Sequence, residues 1–296
     1  MTVTQEHVAM QKAWDQQSVW SQSANRLKTS VEAARSRALT LAVTAAVLAT
    51  AAAQAMDWNA GVGTALAFVA ALAAGAAPLL SHRGGPGRLS DWIRARAVSE
   101  ALKGEVYTCL AGVGPYRERE QAVTLLADRV DAFRRDATDL VHHTSGLSPK
   151  ARPLPPVVDV DSYVEHRLRR QIDTYYRPKA AWMRARVELL YKVELALGCL
   201  GALLAAAAGT FAIGVLAAWV GVAASVTIAV TAHGIAQRYA YQHLEFLRTA
   251  EELERLLGRW VADADRSEGA AAEFVAKCEH AISIQNEAWM IRWTVG

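Results

Sequence analysis

Positive charge is missing from two long stretches of this 296-residue chain: none of its 32 Lys and Arg residues falls within Ala38–Leu80 or Val193–Gln237. Acids are almost as scarce there, with Asp57 and Glu194 alone. Stretches of that length with one ionic group each exclude ordinary surface helices, which keep one charged face in water. Cysteine is scarce too. Cys109, Cys199 and Cys278 are isolated and odd in number, which argues against a disulfide framework and against a zinc site. The first 37 residues lack an early apolar core and a small-residue cleavage site, so no cleavable signal peptide is expected and the first apolar stretch acts as an uncleaved anchor.

A bilayer span needs ~20 mostly apolar residues at 1.5 Å rise each, so each block without Lys or Arg can cross and return. The expected fold is an all-α membrane protein with four transmembrane helices, arranged as two tandem helical hairpins with long cytoplasmic helices. The first hairpin spans about 38–56 and 60–80, turning at Asp57, Trp58 and Asn59, with Trp58 suited to the interface. The second spans about 193–208 and 214–232, turning near Gly209, Thr210, Phe211 and Gly214. A soluble Ala-rich core is the alternative, but two such blocks exceed what the rest of one soluble chain could cover. Charged residues make up 21% of the chain yet are segregated into the flanks. By the positive-inside rule the flanks and both termini face the cytoplasm, which predicts a multi-pass protein of the inner (plasma) membrane.

Each hairpin sits at the same place in a longer pattern, the mark of a duplicated unit. Gln17 and Gln171 precede the hairpins at matching distances, each followed by aromatics (Trp20; Tyr175 and Tyr176) and a basic stretch. Past the hairpins, Arg96 precedes Glu100 by four residues as Arg248 precedes Glu252. The predicted division is a first unit over 1–147, a proline-rich linker over 148–160, and a second unit over 161–296. Because both units begin and end on one side, the repeat is parallel rather than inverted. Pro178 is expected to mark a helix restart.

Two heptad seams extend the spans into the flanks. Gln17, Trp20, Ala24, Leu27, Val31, Ala34, Ala38 and Leu41 alternate steps of three and four, as do Tyr239, His243, Phe246, Ala250, Leu253, Leu257, Trp260 and Ala264. Trp20, Leu27, Phe246, Leu253, Leu257 and Trp260 are the candidate contacts of an antiparallel bundle within the chain or of a seam between subunits.

Chemistry-bearing motifs are weak. None of the eight His residues has the Glu-flanked i, i+4 spacing of a zinc protease. The Gly-rich stretch 81–88 has neither a preceding strand nor a following Lys-Ser/Thr, so it reads as a basic turn at lipid headgroups rather than a phosphate loop. No nucleophile elbow or acid pair in an apolar setting occurs. The chain is therefore expected to be no enzyme, with no catalytic residue, cofactor or metal and no nucleic-acid partner. Polar residues within the spans carry more meaning, since they avoid lipid. Thr40, Thr44 and Gln54 form one stripe down the first span, and Thr227 and Thr231 share a face of the fourth. Helix packing and a water-facing pore wall both fit them. Asp57 and Glu194 lie near interfaces, where water reaches them.

The arrangement resembles the SLATT family, the SMODS and SLOG-associating two-transmembrane effectors. The resemblance rests on the entry segment 171–179 (QIDTYYRPK), the two-span hairpin, the helix containing 248–253 (RTAEEL) and the closing segment 281–289 (AISIQNEAW). Residues 13–28 (AWDQQSVWSQSANRLK) resemble the opening of a second, divergent unit. The resemblance implies association with bacterial conflict systems and perforation of the membrane on a trigger. The chain differs from the simplest members in having two units and no fused sensor, so a trigger must bind its cytoplasmic helices or come from a partner. The expected function is an oligomeric pore-forming or channel-like effector in the lipid bilayer, with homo-oligomerisation and a cytoplasmic sensor as the expected partnerships. The alternative is a non-conducting membrane scaffold that anchors a cytoplasmic partner.

Overall fold

The computed structural model describes the backbone of residues 3–294 and the side chains of residues 6–283; part of the closing segment, the side chains of 284–289, lies outside the described residues. Helices follow one another as α1 (Val3–Ala55), α2 (Ala60–Arg83), α3 (Pro86–Ala111), α4 (Arg119–Asp136), α5 (Val160–Tyr163), α6 (Arg177–Phe211), α7 (Gly214–Gln237), α8 (Tyr239–Ala262) and α9 (Glu268–Thr294). No strand occurs among the described residues. Four helical stretches, Glu6–Ala55, Ala60–Ala111, Val160–Phe211 and Gly214–Ala262, are long and apolar enough to cross a membrane. The fold is the all-helical, four-span architecture the charge pattern predicts.

Both hairpin turns follow local chemistry. Asn59 caps α2, its extended backbone letting the side-chain oxygen accept from the Val62 amide at 3.1 Å, which satisfies one orphan donor of the first turn. Gly63 stands where a Cβ would come within 2.9 Å of the Met56 amide nitrogen, so the turn closes only on glycine. In the second hairpin α6 runs on through Gly209 and Thr210 to Phe211, three residues past the expected end, and the chain reverses at Ala212 in the left-handed region (φ 52°). Its return, α7, continues to Gln237 rather than stopping near 232, because Ala232 to Gln237 contain no helix breaker that must act; Arg238 at φ 51° ends it.

The chain divides into two compact units that cut across the sequence halves. The head comprises Met1–Thr29, Pro86–Ala180 and Leu244–Gly296; the span unit comprises Ser30–Gly85 and Ala181–His243. In the head, α3 packs against α9, α4 and α5. The proline-rich segment is docked rather than free. Gln11 and Trp14 of α1 donate to the carbonyls of Arg152 and Pro153 at 3.2 and 3.0 Å, Gln22 donates to Ser148, and Ser18 accepts from the Lys150 amide. Prolines hold that stretch extended, leaving its carbonyls free to accept from helix side chains.

Before Pro178 the helix does not break. Two π-helical stretches, Val164–Arg169 and Ile172–Tyr176, carry it from α5 into α6. Wider turns absorb a donor that proline cannot supply and shift which residues face inward. Arg167, Leu168, Ile172 and Tyr176 are all buried as a result.

Candidate functional site

In the span unit the predicted polar residues occupy different settings. Thr40 is exposed and returns its hydroxyl to the Ser36 carbonyl at 3.1 Å; Thr44 is half-buried. Gln54, also half-buried, accepts from the Trp219 indole N–H at 3.3 Å, bridging α1 and α7, while its own Nε2 is buried without a partner. Thr227 donates to the Ala223 carbonyl at 2.8 Å, the usual one-turn return that costs a helix little. Thr231 behaves otherwise. Its hydroxyl donates to Glu194 Oε1 at 2.7 Å, joining α7 to α6 at the surface of the unit. The structure therefore pairs Gln54 with Trp219 and Thr231 with Glu194. Trp219 and Glu194 were outside the stripes read from spacing, since one is apolar by composition and the other sits on a different helix.

The seam residues are covered within the chain. Gln17, Trp20, Ala24, Leu27, Val31, Ala34 and Ala38 are all buried along α1. On α8, Phe246, Leu253 and Trp260 are buried, Leu257 is half-buried and Leu256 takes its place inside. Phe246 stands edge-to-face with Tyr175 and tilted to Tyr176, with ring centres 5.8 and 6.3 Å apart, and Trp260 stacks on Phe274 at 4.7 Å with the Arg266 guanidinium 4.2 Å from its ring centre. The helix ends at Ala262, so Ala264 falls outside the seam.

The head also contains a buried ionic network of which the spacing showed only the Arg96–Glu100 step. Arg167, 1% exposed, forks onto Glu279 through Nε (2.9 Å) and Nη2 (2.8 Å), and the Tyr163 hydroxyl donates to the same carboxylate at 2.8 Å. Glu100 pairs with Arg96 at 2.9 Å and lies 4.0 Å from both Lys103 and Arg167. Gly104 makes room: a Cβ there would stand 2.9 Å from Glu279 Oε2. Burial alone would raise the Glu100 pKa, but Arg96, Lys103 and Arg167 outweigh it and hold the carboxyl at about 2. Burial lowers Lys103 to about 8, with Glu100 pulling the other way. Tyr163 is pushed well up, by burial first and then by Glu279. Glu100 is thereby held ionised and Tyr163 protonated at neutral pH, which suits structural pairing rather than proton transfer by these two groups.

Elsewhere in the head a cavity of about 200 Å³ lies among Met10, Cys109, Tyr116, Arg119, Ala122 and Val157. Burial, with Glu105 and Glu6, pushes the Cys109 thiol up to about 11, so it is no thiolate nucleophile near pH 7. Among the described residues no group of three or more His, Cys, Asp or Glu could hold a metal ion.

Four long apolar helices in two hairpins define a membrane protein. Residues 163–289 match the family model of the SMODS and SLOG-associating 2TM effector domain 1, and residues 18–123 match that of a protein of unknown function, DUF4231. Residues 163–289 thus resemble a SLATT domain, and that domain implies a membrane-associated effector. No curated protein and no solved structure matches the chain.

Proposed function

We propose that this chain is a non-enzymatic effector of the inner membrane that assembles several copies of itself into a pore, with both termini in the cytoplasm, within a bacterial conflict or defence system. The observation that carries the reading is the Thr231–Glu194 bond at the surface of the span unit. A carboxylate on a membrane-facing helix surface is costly, by ~3 kcal/mol at mid-membrane on the insertion scale and less toward the edges, unless water or protein covers it. Small side chains over the same helices let neighbours approach closely, and four spans are too few to enclose a wide conduit alone. The exposed Thr40 and the half-buried Thr44 and Thr227 supply further polar wall. The head, or a sensor bound to it, receives the trigger. The matched register of Arg96–Glu100 and Arg248–Glu252 supports reading the two halves as copies of one in-out-in unit.

Purified protein in planar bilayers is expected to give discrete conductance steps, re-sized or reduced by Thr44→Leu or Thr227→Leu. Electrical silence from a monodisperse preparation overturns the reading. A non-conducting scaffold is the second reading, favoured by apolar side chains left open on the head, Val8 at 61% and Val158 at 73% exposure. Recovery of one stoichiometric partner without conductance selects it.

A further inference from the structure

The walls available to such a conduit carry charge of one sign. Across Ala38–Leu80 and Val193–Gln237 there is no Lys or Arg, and the two acids stand at opposite ends. Asp57 lies in the exposed turn between α1 and α2. Glu194 lies 17 residues before the end of α6 at Phe211, roughly 26 Å along the helix axis, which places it near the far edge of a ~30 Å hydrocarbon layer.

The packing aims Glu194 at α7. Leu190, one turn earlier on α6, meets α7 at Gly234, where a Cβ would stand 3.0 Å from it. Glu194 continues that face to reach Thr231. Lys192 is two residues away, about 200° round the helix, and so points elsewhere. Arg35, at the same end of the unit, is engaged by the Gly84 and Ala236 carbonyls at 3.3 and 2.9 Å. With Thr231 donating to Oε1, Glu194 keeps Oε2 and the threonine oxygen its lone pairs, so the pair presents hard oxygen acceptors.

We infer that the pore passes cations in preference to anions, and that Glu194 with Thr231 forms the selectivity ring at the end of the spans away from the hairpin turns. This rests on the pore reading above. Rings of carboxylates select cations because each attracts the permeating ion and repels anions across a low-dielectric wall. Glu194→Gln keeps an acceptor for Thr231 and removes the charge, so packing is preserved while selectivity is tested.

The test is the reversal potential of the full-length protein in planar bilayers under a KCl gradient. The expected result is K⁺ favoured over Cl⁻ by roughly tenfold, falling to about twofold or less in Glu194→Gln, with a smaller loss in Asp57→Asn. Reversal near the chloride potential overturns the cation assignment, and a ratio unchanged in Glu194→Gln overturns the selectivity ring, each while leaving the pore standing. Absence of conductance from the wild-type protein overturns the pore and this inference with it.

Discussion

Glu100 and Glu194 are acids on long helices of one chain, and the fold treats them in opposite ways. Glu100 is enclosed in the head beside Arg96, Lys103 and Arg167, whereas Glu194 meets a single hydroxyl at the surface of the span unit. Glu252, at the register of Glu100 in the second half, is a third case: it pairs with Arg255 on an open helix face. The difference separates an acid the fold encloses from one it leaves at the surface. Among the described residues of the head the buried Glu100 has its cations; in the span unit Glu194 stands at the surface.

The comparison breaks most visibly if charges are removed in matched pairs. Glu100→Ala leaves the half-buried Arg96 and Lys103 and the buried Arg167 without their shared carboxylate and is expected to cost about 3–5 kcal/mol, whereas Glu252→Ala changes stability by about 0.5 kcal/mol or less, both read by thermal unfolding in detergent. Acid reads the same contrast without mutation. The Glu100 pKa is lowered from 4.5 to about 2, so its contribution is present in full above pH 4.5 and fades as pH falls toward 2. That contribution is on the order of 3 kcal/mol. A pH titration of stability should show it in the wild type and flatten over that window in Glu100→Gln; parallel curves would remove the enclosed-charge account.

Smaller effects sharpen the picture. Gly104→Ala pushes a methyl toward a carboxylate held by Arg167 and Tyr163, and is expected to cost about 1–3 kcal/mol. Most of that cost should vanish in a Glu279→Ala background, since the obstructing oxygen is then gone; a double-mutant cycle gives the coupling. The smallest change is in the span unit. Trp219→Phe deletes the bond to Gln54 and should cost about 0.6 kcal/mol, the typical size of an interhelical hydrogen bond in lipid, measured by reversible unfolding in bicelles.

Periodicity and charge carry the architecture because they are local. The steps from Gln17 to Leu41 predicted a buried face, and the structure buries seven of those eight positions and half-buries Leu41, since a helix converts spacing directly into facing. The same rule loses register on α8, where Leu256 rather than Leu257 turns inward and the helix stops before Ala264. At Pro178 the expectation of a restart met π-helical turns, because a widened helix can satisfy the backbone without breaking. Beyond the Arg96–Glu100 step, the ionic network was hidden for a different reason. Arg167 and Glu279 stand 112 residues apart, and only the folding of α9 against α3 brings them together beside the gap at Gly104. Among the polar span residues, Thr231 was legible as polar on an apolar helix, but its partner Glu194 depended on how α6 and α7 face each other.

The central claim is that the span unit of one chain is incomplete and is closed by further copies. Native mass spectrometry of the full-length protein released from lipid nanodiscs tests it most directly. A closed ring of several chains is predicted, and a strictly monomeric protein that nonetheless remains folded and membrane-inserted would contradict it.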